Sequence, residues 1–155
     1  MLAAVIAAAA LAPARFPPRP GWRAGAGSVH ACIGVSPKRC RTASSWAATV
    51  PLRDCINCLP HRTLDTLPAD GIVIQVSVSF ERPRRSPTEP HWPIRIERAL
   101  IASPFEGLPA RVGVFQQIAR AGLFDVSVFV FFGRPRPTAR QLALAESELR
   151  AARVP

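Results

Sequence analysis

The chain has 155 residues, 48% hydrophobic and 19% charged, with 17 prolines and a net charge of +10. That length suits one domain able to bury a core without staples, and the composition excludes a disordered chain. Lys38 is the one lysine among 20 basic residues, so the arginine skew reads as coding bias rather than arginine-specific chemistry.

Residues 2–14 form an uncharged, mostly apolar run. It is shorter than the ~20 residues of a spanning helix. It fits the apolar region of a secretory signal, and Ala12-Pro13-Ala14 gives a small-x-small cleavage pattern. The expectation is a signal over residues 1–14, removed on export, with no transmembrane span left afterwards. No Lys or Arg precedes the run, which leaves an uncleaved anchor or a buried Ala-rich helix as alternatives. Pro13, Pro17, Pro18 and Pro20 would end such a helix.

Residues 15–155 are expected to form a single globular domain, in which 15–70 is a loop-rich, basic, cysteine-containing segment. It opens on a Pro-rich linker and a Gly-rich stretch of loop and short extended structure. Gly25-Ala26-Gly27 is no phosphate loop, because no strand leads in and no helix leads out. Residues 44–50 could be a short strand or one helical turn. Residues 59–70 read as irregular with a single helical turn.

The sheet and helix core is expected over 71–155. In GIVIQVSVSF, Ile72, Ile74, Val76, Val78 and Phe80 share one face, the period of a half-buried strand. The Pro-rich stretch after it is a loop. Its Pro87-x-x-Pro90-x-x-Pro93 spacing suits a polyproline-binding partner or a stiff linker. PIRIERALI is expected to give a second strand, with Ile94 and Ile96 inward. Two further strands flank Ala121-Gly122 as a hairpin. Both faces of LFDVSVFVFF are apolar, so that strand should be central and covered. Thr138 and Gln141 form a capping box, and Leu142, Ala145, Leu149 and Ala152 recur at helical spacing. Leu142 and Leu149 are expected to pack, and Glu148→Ala to have little effect. The fold class is therefore α+β: an antiparallel sheet of roughly four to six strands, a C-terminal helix on one face, and a disulfide-tied N-terminal segment.

Four cysteines, Cys32, Cys40, Cys55 and Cys58, make two disulfides the first reading for an exported chain. Sequence alone does not separate the three possible pairings; Gly34 and Pro37, which favour a compact loop, lean towards Cys32–Cys40 with Cys55–Cys58. The same four, with His61 or His30, are the zinc alternative, although only Cys55 and Cys58 form the tight pair that zinc sites favour. A redox pair at Cys55 and Cys58 is another alternative. Pro60 argues against the helix that lowers such a thiol's pKa. Glu106 in its turn has no partner that would make it catalytic. The chain has no H-E-x-x-H, G-x-S-x-G or P-loop pattern.

Residues 15–62 hold eight basic side chains and one acid, Asp54. Residues 63–110 hold five and six, and residues 111–155 hold seven and three. An anionic partner is therefore expected at the front third, on Arg19, Arg23, Lys38, Arg39, Arg41, Arg53 and Arg62. The alternative is a solvated basic surface. Trp22, between Arg19 and Arg23, suits nucleic acid or sugar rings, or a lid on a core edge.

The leading functional expectation is a small exported, non-enzymatic module at or outside the cell envelope. Its partner would be an anionic envelope polymer or another protein. A thiol redox protein or small enzyme using Cys55 and Cys58 is the second reading. A zinc-dependent nucleic-acid binder is the third, and the apolar N-terminus argues against it.

Overall fold

The computed structural model describes residues 10–155, apart from 33, 35, 37, 39 and 82–88. Seven strands form one antiparallel sheet. They are β1 (Arg23–Ala26), β2 (His30–Ala31), β3 (Cys40–Ala48), β4 (Ile72–Glu81), β5 (Ile101–Ala102), β6 (Gly113–Ala121) and β7 (Phe124–Phe132). The spatial order is β1-β3-β4-β7-β6-β5, with β2 also pairing on β3. Two helices join them, α1 (His61–Asp65) and α2 (Ala139–Ala151). The α+β class, the C-terminal helix and the disulfide-tied front segment are as the sequence indicated. The short strands β1, β2 and β5 bring the sheet to seven.

The period of two in β4 governs the main core. Ile72, Ile74, Val76 and Val78 pack with Val126, Val128, Val130 and Phe132 of β7, and α2 covers that face with Ala145 and Leu149. The capping box at Thr138 and Gln141 is present. It satisfies donors that the first turn leaves without helical partners. Glu148 departs from expectation. It is fully buried, and its Oε2 accepts a 3.1 Å hydrogen bond from Arg19 Nη1. Arg19 Nη2 donates to Ser147 Oγ at 3.0 Å. The Pro-rich linker thus lies along α2 and carries a counter-ion to it. Ahead of that linker Leu11 packs on the main core and Ala14 is fully buried in it. Arg15 exchanges backbone hydrogen bonds with Arg153. The signal expectation falls mostly on residues 1–9, outside the described residues, but a cut after Ala14 would strip these two core contacts.

The opposite face changes character along its length. At one end Ala48, Val73, Phe131 and Val114 join Leu64 of α1, Leu67 and Val112 in a second core. The next cross-strand row is Trp46, Gln75, Phe129 and Gln116. The row beyond is Ser44, Ser77, Ser127 and Ile118. The face therefore turns from apolar to mixed, with Gln75 and Ser44 still buried and Gln116 and Ile118 exposed.

Two elements differ from the sequence reading. Residues 94–97 are not a strand, although Ile94 and Ile96 are buried as expected. Pro93 has no N–H to donate, and the Ile96 N–H donates to Glu146 Oε1 of α2 at 3.0 Å. The segment therefore packs under the helix instead of pairing in the sheet. Conversely, β3 runs for nine residues where a short element was expected. Its Ser-, Ala- and Thr-rich sequence has little apolar alternation, and neighbours on both sides hold it extended.

Candidate functional site

Two cavities of about 470 Å³ each lie on the surface. The first forms where the N-terminal arm, the end of β3, the 68–71 turn and the start of α2 meet. Trp22, Asp70, Arg134 and Arg140 line it, with Thr49 and Thr138. Trp22 is placed by a turn in which its N–H donates to Arg19 O at 3.1 Å. Pro20 and Gly21 occupy the centre of that turn, and Gly21 has φ +79°, the pattern of a type II turn. Gly133 lets the strand end approach the neighbouring turn, since a Cβ there would collide with the Pro68 carbonyl. That approach seats Arg134, whose Nε donates to Ala69 O at 2.9 Å. Neither Arg134 nor Arg140 forms an ion pair among the described residues. Thr49 and Thr138 are committed elsewhere. The Ile72 N–H donates to Thr49 Oγ1 at 2.9 Å, and the Gln141 N–H donates to Thr138 Oγ1 at 3.1 Å.

The second cavity lies over the polar rows of the open sheet face. Ser44, Gln75, Ser77, Gln116 and Phe129 form its floor, with Asn57, Cys58, Leu59 and Phe105 around it. The bridged loop beside it is pinned down. Gln75 Nε2 donates to Ile56 O at 3.1 Å and to Cys58 O at 3.0 Å.

The cysteines pair as Cys32–Cys40 and Cys55–Cys58, with Cα–Cα distances of 5.5 and 5.2 Å. With all four sulfurs bridged, none is a thiolate available to zinc. His61 Nδ1 lies 3.2 Å from Gly107 O, and His30 Nδ1 lies 3.1 Å from Ser28 O. Among the described residues no group of three or more His, Cys, Asp or Glu could hold a metal ion. The zinc arrangement is therefore not the one this structure has. The helix α1 begins three residues after Cys58, so neither cysteine lies in its first turn, where a dithiol centre would place one. Cys55 and Cys58 are exposed, whereas Cys40 is buried. Limiting reductant should therefore open Cys55–Cys58 first. Alkylation followed by peptide mass mapping checks this, and equal labelling of both pairs would refute it.

Asp54 works on the backbone. The Thr63 hydroxyl and N–H donate to its Oδ2 at 2.7 and 2.9 Å, and the Arg62 N–H donates to its Oδ1 at 3.1 Å. These are donors of the first turn of α1. Burial pushes the Asp54 carboxyl up, but the Thr63 and Arg62 hydrogen bonds and the Arg62 charge outweigh it and hold it below 3.8. Glu148 goes the other way. Burial raises it above 4.5, against the opposing pull of Arg19. Glu106 is exposed.

The front-third cations are spread over several places. Arg19 serves Glu148. Arg23 lies on the edge strand β1 beside Ala48, seven positions along β3 from Arg41. At about 3.3 Å per residue those positions are roughly 23 Å apart. Lys38 is exposed in the turn before β3, and Arg39 lies outside the described residues. The backbones of Arg53 and Arg62 meet around Asp54 and Thr63, where the Arg53 N–H donates to Thr63 Oγ1 at 2.8 Å and the Arg62 N–H to Asp54 Oδ1 at 3.1 Å. Sequence reasoning missed Arg134 and Arg140. Their signal was the basic link GRPRP leading into the helix. It also missed Arg111, whose guanidinium donates to Leu64 O at 3.0 Å, to Asp65 O at 2.7 Å and to Leu67 O at 2.6 Å, closing the end of α1. No helix among the described residues is long and apolar enough to cross a membrane. The chain matches no protein-family model, no curated protein and no solved structure.

Proposed function

We propose that this protein is a small exported, non-enzymatic module that binds an anionic partner at or outside the cell envelope. The observation that carries the reading is the first cavity, where Arg134 and Arg140, which form no ion pair among the described residues, share the lining with Trp22 and Asp70. Cations without an ion pair among the described residues, one of them held by its bond to Ala69 O, are free to meet an external anion. An indole beside them adds apolar and cation–π contact for an organic anion. The committed Thr49 and Thr138 hydroxyls support binding over catalysis. Two disulfides and the apolar N-terminal run support export. The basic front third contributes Trp22, with Arg23 next in the chain, while the cavity's cations come from Arg134 and Arg140.

Retention on an immobilised sulfated polysaccharide across a salt gradient tests the site. Counterion release makes such binding fall steeply with salt. Arg134→Gln with Arg140→Gln should elute at clearly lower salt than the unsubstituted protein. Arg39→Gln with Arg41→Gln should shift elution less. Equal shifts for the two double variants would leave only diffuse positive charge and overturn the site. Intact mass of protein from its native host tests compartment in the same preparation, because it reads both the processed start and the oxidised cysteines.

A further inference from the structure

We propose that the second cavity is a separate binding site for a neutral saccharide. Among the described residues its lining carries no charged side chain, so it offers no cation to the anionic partner proposed for the first cavity. The lining does supply amides and hydroxyls. Asn57 and Gln116 are exposed, so their amides can reach a ligand, while the Ser44 and Ser77 hydroxyls lie 2.8 Å apart and bond to each other. Gln75 spends its Nε2 on the Ile56 and Cys58 carbonyls, which leaves Oε1 as an acceptor. Side-chain amides that donate and accept suit the vicinal hydroxyls of a sugar ring.

An aromatic platform completes the site. Phe105 is 39% exposed and meets Phe129 edge-on, with centroids 6.3 Å apart. Phe129 in turn stacks on Phe131 at 5.9 Å. The exposed ring offers a flat apolar face to the C–H face of a sugar. The opposite wall is pre-set by the Cys55–Cys58 bridge and by Gln75, so little ordering remains to oppose binding.

The floor also argues against an extended peptide. A peptide gains most of its strand-like affinity from unpaired backbone groups at a sheet edge. Here Ser44, Gln75, Ser77 and Phe129 lie on β3, β4 and β7, each with strand partners on both sides, and only Gln116 lies on a strand, β6, that runs past its outer neighbour, since β5 faces it at Val114 and Phe115 alone. Recognition over most of the floor must therefore come from side chains.

The test is saturation-transfer NMR on the intact oxidised protein with maltose, cellobiose, lactose, N,N′-diacetylchitobiose and tetraglycine. At least one disaccharide should give saturable transfer at millimolar concentration, unchanged by added salt. Phe105→Ala and Gln116→Ala should each weaken it by roughly tenfold or more. Both positions are exposed, so unchanged circular dichroism should accompany the loss. Arg134→Gln with Arg140→Gln should leave the saccharide signal intact, which separates this site from the anion site. Absence of transfer from all four disaccharides overturns the proposal. So does transfer from tetraglycine alone, or disaccharide binding that survives both groove substitutions.

Discussion

Arg19→Ala is expected to destabilise the protein by about 3 kcal/mol near neutral pH, because it strands the Glu148 carboxylate in the core. Arg19 keeps 36% of its side chain exposed while Glu148 keeps none, which places the loss at the lower end for breaking a buried pair. The second carboxylate oxygen, Oε1, is buried with no hydrogen-bond partner among the described residues. Burial raises the Glu148 carboxyl above 4.5, with Arg19 opposing that rise. A raised folded-state value means that this group favours folding most when protonated. Its contribution is complete below 4.5 and declines as pH rises through the folded value. Without Arg19 the decline should be larger. The deficit of Arg19→Ala should therefore shrink towards about pH 4 and grow towards about pH 7. Glu148→Gln in the Arg19→Ala background should recover most of the loss, since no charge then remains to strand. Asp54 acts with the opposite sign. Its lowered value gives stability above 3.8 that is lost as pH falls through the folded value. Urea titrations at the two pH values separate these effects, and an Arg19→Ala deficit independent of pH would refute the role of the pair.

Leu149→Ala should cost about 2–5 kcal/mol, the range for a large-to-small change in a close-packed core. Leu149 is fully buried and shares its cluster with Ile72, Ile74 and Phe132. Shortening it leaves a cavity between α2 and the sheet that neighbouring strands, hydrogen-bonded on both sides, cannot readily close. Leu144→Ala is the matched control. That side chain is 39% exposed, and its truncation should change stability by no more than about 0.5 kcal/mol. Denaturant titration gives both values, and equal small effects would show that α2 does not close the core through Leu149.

The two helix residues illustrate what spacing alone can tell. Leu149 was legible as a core residue because it lies on the apolar stripe with Ala145. Glu148 was not, because its burial depends on Arg19, which lies 129 residues away in sequence. The sites follow the same division. Arg134 and Arg140 stand in a basic link that says nothing of Trp22, and only the turn at Pro20 and Gly21 brings that indole to them. Ser44, Gln75, Ser77 and Gln116 look like solvated strand positions until the register aligns them under the bridged loop.

The sequence by itself determined the elements whose driving force is local or periodic. Alternation specified β4 and the hairpin of β6 and β7, because a period of two separates core from solvent on any sheet. Thr138 and Gln141 specified the start of α2, because capping is complete within four residues. The cysteine count pointed to two disulfides, while the structure decided among the three pairings, as Cys32–Cys40 and Cys55–Cys58. The tertiary structure alone decided β3, since its small polar residues extend only when β1, β2 and β4 take their backbone groups. It alone diverted residues 94–97 from the sheet, because Glu146 of α2 accepts the Ile96 N–H. It alone placed charge, too. A cation's partner is set by distance in space, so Arg19 became a counter-ion within the fold while Arg134 and Arg140 were left facing solvent.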